Sequence, residues 1–330
     1  GTWSSTLTKE NHYTTTQKGS NLNVGKDLEI NTAKSLTLIS SDITADNAYI
    51  ESKGDVNLLS KLDETNDSLS VVKSGMLSKK IDETTDYKGV NVGSSIKANN
   101  TNYIKAGGNI NLVASELASD NGAVALEATD VNLLSANDVT GHSEYHKTIN
   151  YFSLGSIFGS LGSFITGGDL EFGSFKEDTK VSSEEIAKGS SIRGPTVLIK
   201  TTNDLNSVGS NISGQDVGLD VGRDLNLLSA QQQADYFSDS KEGKLYLNWD
   251  LAGISGVSLK GGLKYTEQKE STKTTTNVGS TITADNLQIK TGRDMTMMGS
   301  DILTNNSDID VAGNFKALDV QDTVEHNLEN

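Results

Sequence analysis

Cysteine is absent from the 330 residues, which excludes a disulfide scaffold, a thiol nucleophile and every cysteine-based metal site. A chain that crosses membranes unfolded would suit that composition. Proline occurs once, at Pro195, and aromatic residues make up 5%. Arginine is limited to Arg193, Arg223 and Arg293, and histidine to His12, His142, His146 and His326. Twenty-eight Lys and Arg against 44 Asp and Glu leave a net charge of −16. An acidic surface repels phosphate and anionic headgroups, which argues against a nucleic-acid partner. No GxSxG, P-loop or GxGxxG context is present, so the common nucleophile and phosphate-binding motifs are missing.

What the chain has instead is an internal repeat. Ser280–Ser300 lies without a gap on Ser190–Ser210 after a shift of 90, and on Ser210–Ala230 after a shift of 70. A shift of 239 brings Ile43-Thr-Ala-Asp-Asn47 onto Ile282-Thr-Ala-Asp-Asn286. The unit is about 20 residues long, in eight copies arranged as four tandem pairs. They start near Gly19 and Ser40, Gly93 and Ala114, Gly189 and Gly209, and Gly279 and Gly299. Within a copy, apolar residues alternate with polar ones in three bursts, as in Ile282/Ala284, Leu287/Ile289 and Met295/Met297. Short period-two bursts separated by Gly, Asn and Asp predict three short strands and three corners. One such coil cannot bury its inward face alone, so copies stack at about 4.8 Å into a rod. The expected fold is all-β: a right-handed parallel β-helix of about eight coils, running through the chain as one continuous unit. Coils span 19–61, 93–136, 189–230 and 279–320.

Between the pairs lie insertions at 62–92, 137–188 and 231–278, while 1–18 matches the returning end of another. The pattern begins inside an insertion and ends on a coil, as expected of a section of a longer rod. Thr-rich alternating arms such as Thr266–Thr276 predict antiparallel hairpins that leave and rejoin the rod. Their tips are apolar. Leu245, Leu247, Trp249 and Leu251 alternate, Gly253–Gly256 turn the chain, and Val257, Leu259, Leu263 and Tyr265 follow, giving an amphipathic hairpin. Residues 149–168 carry no charge, and Leu154, Ile157, Phe158, Leu161, Phe164 and Ile165 fall on a helical stripe, so this insertion is expected to be partly helical. Phe152 and that stripe, with Leu245, Leu247, Trp249, Leu251 and Tyr265, are the candidate membrane or partner contacts. The other reading is that both tips pack sideways on the rod.

Short polar residues recur after the third corner: Ser35, then Asp55, Asn109, Asp130, Asp204, Asp224, Asp294 and Asn314. Stacked carboxylates could hold a hard cation, but the calcium nonapeptide pattern is missing, and turn chemistry in which side chains bond their own backbone is the simpler reading. Arg223 and Arg293 share one repeat position and read as corner residues. His142 and His146 stand four apart, a zinc spacing on a helix, but on a strand arm they read as solvated. No catalytic residue, metal or cofactor is expected. The enzymatic alternative, a polysaccharide-binding or -cleaving β-helix, rests on architecture alone.

The paired unit GSxIxAxNLxIxxGRDLxLxxS, the phrases Asp55–Ser60, Asp130–Ser135 and Asp224–Ser229, and the polar excursions with apolar tips resemble the haemagglutinin repeats of large secreted exoproteins. These include filamentous haemagglutinin adhesins and CdiA-type effectors of contact-dependent growth inhibition. The pattern is similar to the second repeat region of those proteins. The resemblance implies a Gram-negative exoprotein that leaves through an outer-membrane two-partner transporter, with a periplasmic stage before deployment as an extracellular filament with the rest of the same exoprotein. It also implies one of two roles. The segment would engage a target cell's outer membrane or surface receptor and aid delivery of a C-terminal toxin, or it would serve as an adhesin rod.

Overall fold

A computed structural model describes residues 3–151, 168–251 and 257–330, with side chains described except at 168–172, 247–251 and 257–260. The helical stripe expected at 154–165 lies outside the described residues. The described chain is built of strands and turns in three sheets. Two of them form a parallel β-helix. In one coil the strands are Asp42–Ala45, Asn47–Ser52 and Val56–Leu59; in the next they are Ser95–Ala98, Asn102–Ala106 and Ile110–Val113. Each pairs in parallel with its counterpart one coil away, so that Ile43 faces Ile96, Ile50 faces Ile104 and Leu58 faces Leu112. The third strands alone make an eight-stranded sheet from Leu36–Ile39 to Phe315–Leu318.

The period of two puts one residue in two inside the rod. Ile96, Ile104, Ile110, Leu112, Ile192, Leu205, Leu225 and Ile282 are fully buried there and belong to one continuous apolar cluster. At about 1.5–3 kcal/mol per buried aliphatic side chain, this column drives the stacking. A few inward positions are polar, among them Ser207, which pairs with Leu133 and Leu227. Asn102 is fully buried, and its Nδ2 donates to the Ile96 and Ala118 carbonyls, at 2.8 and 3.0 Å.

Polar ladders align the coils. The backbone N–H of each serine at the coil start donates to the hydroxyl of its counterpart one coil on: Ser41 to Ser94, Ser94 to Ser115, Ser115 to Ser190, Ser190 to Ser210 and Ser210 to Ser280, at 3.0–3.2 Å. The hydroxyls in turn donate to main-chain carbonyls. Ser94, Ser190 and Ser280 reach Leu59, Leu134 and Leu228, across the points where insertions depart. The coil starts also set the glycine pattern. A Cβ at Gly93, Gly189 or Gly279 would collide with the carbonyl oxygen of Ala114, Gly209 or Gly299. The second copy of each pair instead opens in the left-handed region, at Ser40, Ala114, Gly209 and Gly299 (φ 45–55°). Ser40, which lacks glycine's freedom there, is held by its hydroxyl donating to the Val92 carbonyl at 2.9 Å.

The insertions do form antiparallel hairpins, but they do not stand apart. Their arms join into one eight-stranded antiparallel sheet in the order Ser4–Thr15, Lys61–Gly75, Ser78–Val92, Ala136–Asn150, Gly168–Lys188, Ala230–Leu251, Val257–Val278 and Thr323–Glu329. Each returning arm pairs with the next outgoing one, as in Thr85 with Ser143 and Ser182 with Tyr236. A single row crosses all eight strands: His12, Asp67, Asp86, His142, Ser182, Tyr236, Thr272 and His326. The described arm residues are mostly half-buried or exposed on both faces, so the sheet is a polar fin rather than a second core.

The serine ladder generates a prediction. Ser190→Ala leaves the buried Ser115 N–H without a partner and takes one of two donors from the Leu134 carbonyl, which keeps the Ala114 N–H, a loss of about 1–3 kcal/mol. Urea denaturation should show that loss. Ser70→Ala, which removes an exposed arm bond to Glu83, should stay within about 0.5 kcal/mol of the parent.

Candidate functional site

The residues singled out from the sequence fall in three places. The corner positions form one column along the rod. Asp55 accepts from the Asn109 N–H at 2.8 Å, Asn109 from Asp130 at 3.2 Å and Asp130 from Asp204 at 2.9 Å. Asp204 accepts from Asp224 and Asp224 from Asp294, both at 3.1 Å, and Asp294 from Asn314 at 2.8 Å. Each side chain thus caps the backbone of the next coil rather than its own. Arg223 spans one coil to Asp204 and Arg293 spans one to Asp224. The Arg293 guanidinium holds the Asp224 carboxyl down at about 2 against an ordinary 3.8, partly offset by desolvation and helped by the Asp294 N–H. Arg223 likewise lowers Asp204. With guanidinium groups and N–H donors on these carboxylates, the column acts as a structural ladder.

His142 and His146 sit on the strand Ala136–Asn150, not on a helix, so their backbones stand about 13 Å apart. They belong to an alternating chain on one face of the fin. His142 Nδ1 lies 2.5 Å from Asp86 and its Nε2 3.1 Å from Glu144; His146 Nδ1 lies 2.8 Å from Asp82. The hydrogen bond to Asp86, then that to Glu144, raises the His142 pKa. His12 pairs with Asp67 in the same row. Among the described residues no group of three His, Asp or Glu is arranged to hold a metal ion.

The third place is the outer end of the fin. Leu245 and Tyr265 are 53% and 50% exposed, and Leu263, opposite Leu245, is 68% exposed. The Phe175 ring lies across Gly243 and against Tyr265, with ring centroids 6.4 Å apart. An apolar patch therefore begins where the polar arms end. Beyond it, Leu247, Trp249 and Leu251 continue the alternation in strand backbone and pair with Gly261, Leu259 and Val257. Phe152, Leu154, Ile157, Phe158, Leu161, Phe164 and Ile165 lie outside the described residues.

Two further columns escaped the sequence reading. Asn57, Asn111, Asn132, Asn206 and Asn226 form an amide ladder on the rod surface, each Nδ2 donating to the preceding Oδ1 at 2.8–2.9 Å. On another face Glu51, Lys105, Glu127, Lys200, Asp220, Lys290 and Asp310 stand opposite one another in successive coils, with charges strictly alternating. Slippage by one coil would set like charges side by side, which disfavours misregister. The signal for both was in the repeat, at the Asn of DVNLL and at the Lys, Glu or Asp immediately after the second burst.

A parallel rod of stacked coils with a largely polar antiparallel arm sheet defines a repeat protein. The hemagglutinin repeat family matches residues 1–91, 74–244 and 238–330, and the chain belongs to that family. It is 23% identical over 330 residues to a protein of Proteus mirabilis named hemolysin, covering 96% of this chain and 19% of that protein. It is 25% identical over 246 residues to the tRNA nuclease CdiA-2 of Burkholderia pseudomallei strain 1026b, covering 70% of this chain and 7% of that protein. The chain thus spans less than a fifth of either relative. No solved structure matches it.

The Arg293–Asp224 bridge carries a pH signature. The folded pKa of Asp224 lies below its unfolded value, so its contribution is present above pH 3.8 and is lost as pH falls through about 2. In thermal melts, Arg293→Gln should lower Tm most above pH 4, and the gap from the parent should close towards pH 2. A gap independent of pH would show that the bridge is not its source.

Proposed function

We propose that this chain is a non-catalytic section of a two-partner-secreted exoprotein filament of a Gram-negative bacterium. Its fin carries the apolar outer ends to a target cell's outer membrane, where they aid delivery of a C-terminal toxin in contact-dependent growth inhibition. The carrying observation is the cluster of Leu245, Leu263 and Tyr265, exposed together towards the outer end of a largely polar sheet. Exposed apolar clusters on soluble surfaces mark contacts with lipid or protein. The similarity to a protein named as a tRNA nuclease, in a stretch that makes up 7% of it, supports delivery over attachment alone. The export partner in this reading is the outer-membrane transporter. A cysteine-free chain whose coils contact only their neighbours can pass a pore unfolded and fold coil by coil outside.

Adhesion is the second reading, favoured by the family's hemagglutinin description. Co-sedimentation with outer-membrane vesicles separates the two. A variant without 149–168, and a second carrying Leu245→Asn, Leu263→Asn and Tyr265→Ser, should each keep the parent's far-ultraviolet circular dichroism. Both should lose most of the pelleted fraction. Unchanged pelleting in both variants would overturn membrane engagement through the fin and leave the rod surface as the attachment site.

A further inference from the structure

The net charge of −16 hides a local reversal. One row of the fin crosses all six strands of its three hairpins, at Lys73, Lys80, Thr148, Lys176, Glu242 and Thr266. It divides each hairpin into an inner and an outer part, and the outer parts are 73–80, 148–176 and 242–266. Together these carry seven Lys and four Asp or Glu, a net charge of +3. The remaining sequence carries 21 Lys and Arg and 40 Asp and Glu, a net −19. The acidic protein is therefore basic at the outer end of its fin.

Apolar surface and charge are sorted there by face. Successive residues of a strand point to opposite sides, so alternate rows share a face. The row next to the dividing one holds Ser74, Lys79, Ile149, Phe175, Gly243 and Tyr265. The following row on that face holds Gly173, Leu245 and Leu263. Leu77 and Tyr151, joined by a 2.9 Å bond from the Tyr151 N–H to the Leu77 carbonyl, continue it. Leu77, Tyr151, Leu245, Leu263 and Tyr265 are 38–68% exposed. Three separate insertions thus contribute to one apolar face.

The reverse face carries the lysines: Lys73, Lys80 and Lys176 in the dividing row, and Lys244 and Lys264 beyond it. Lys73, Lys80, Lys176 and Lys264 are exposed. Lys80 and Lys176 pair with Asp82 and Asp178 at 3.1 and 3.2 Å, but such exposed pairs are weak. The fin is one sheet thick. An ammonium group on one side therefore stands on the order of 10 Å from a surface touching the other, about one Debye length at 0.1 M salt.

The apolar face alone would suit lipid, protein or a second fin. The lysines behind it decide between them. A second copy sets positive against positive, and a zwitterionic bilayer offers lysine no net attraction. A nucleic acid matches the charge but gives Leu245, Leu263 and Phe175 no apolar counterpart.

We propose that the outer end of the fin docks on the anionic phosphate headgroups of a lipid bilayer. Its Leu and aromatic face lies at the acyl boundary and its lysines attract the phosphates. The inference rests on the membrane reading above and adds to it the charge of the lipid. The acidic rod and inner fin are repelled by the same surface, so the field turns the outer end towards the membrane and holds the rod away.

Flotation of the full chain with vesicles tests this, using phosphatidylcholine alone and an equimolar mixture with phosphatidylglycerol. The mixed vesicles should bind at least about tenfold more tightly, and high salt should erase the difference. Lys73→Gln, Lys80→Gln, Lys176→Gln and Lys264→Gln combined should remove the preference without changing the circular dichroism. A control with Lys26→Gln, Lys34→Gln, Lys53→Gln and Lys316→Gln, all exposed on the rod, makes the same change in net charge and should keep it. Equal loss in the two lysine variants would overturn the proposal. So would equal binding of the parent to both vesicles; if the variant with Leu245→Asn, Leu263→Asn and Tyr265→Ser then fails to bind, membrane engagement itself stands. Binding to outer-membrane vesicles but to neither lipid vesicle would overturn the proposal in favour of a surface receptor. Binding to none of the three would overturn the membrane reading as well.

Discussion

Every strand of the rod forms its hydrogen bonds with a strand one coil away, never with its immediate neighbour in sequence. That constraint governs the rest of the molecule. A coil's backbone groups at strands and corners are satisfied only if the next coil arrives in register at a spacing of about 4.8 Å. The apolar column makes stacking favourable but is indifferent to small slips, since Ile, Leu and Val occupy equivalent places in most coils. Register comes from directional groups outside it. The coil-start serines, the corner carboxylates and the surface amides each bond one specific partner in the adjacent coil. The alternating Lys and Glu/Asp column disfavours the slipped arrangements.

The two halves of the structure rest on different physics. In the rod, burial of Leu, Ile and Val supplies the driving force, and polar groups supply order. Among the described residues the fin has no buried apolar core, and stability comes from main-chain pairing and cross-strand side-chain contacts. These include Lys147 with Glu177 and the His142–Glu144–His146 chain with its flanking carboxylates. Such exposed pairs are individually weak. The fin therefore depends on the rod to hold its strands at the right spacing. That dependence also lets its arms be largely polar, with exposed apolar residues scattered along them and clustered at Leu245, Leu263 and Tyr265.

The parallel β-helix was legible in the sequence because its determinants are local and repeated. Ile282/Ala284, Leu287/Ile289 and Met295/Met297 declare three strands by alternation alone, and the repeat overlays their counterparts. The corner ladder was legible as a column of short polar residues, but not in its bonding, because whether Asp204 caps its own turn or the Asp224 backbone depends on the neighbouring coil. The hairpins were legible within each insertion for the same local reason. Their union into one sheet was not. The pairing of Thr85 with Ser143 or of Ser182 with Tyr236 joins different insertions, and Thr-, Ser- and Lys-rich strands carry no pattern that selects one partner or register over another. The serine ladder was hidden in plain view, since a Ser after Gly reads as turn chemistry until the next coil is set beside it.

The union of the arms explains why the coils come in pairs. Each hairpin contributes two strands to the fin, and strands in an antiparallel sheet are spaced as closely as coils in the rod, about 4.8 Å. Two coils between successive insertions advance the rod by the same distance that one hairpin advances the fin. With one coil between insertions, the arms would need twice the room that the rod provides. With three, a gap the width of one strand would open between a returning arm and the next outgoing arm, leaving both edges unpaired. Only the paired arrangement lets a single row run from His12 to His326 across arms that leave the rod at four different levels. The tandem pairing seen in the sequence is thus the signature of two sheets of equal pitch growing side by side. An insertion lost from the middle of such a chain would disturb the fin well beyond its own two strands.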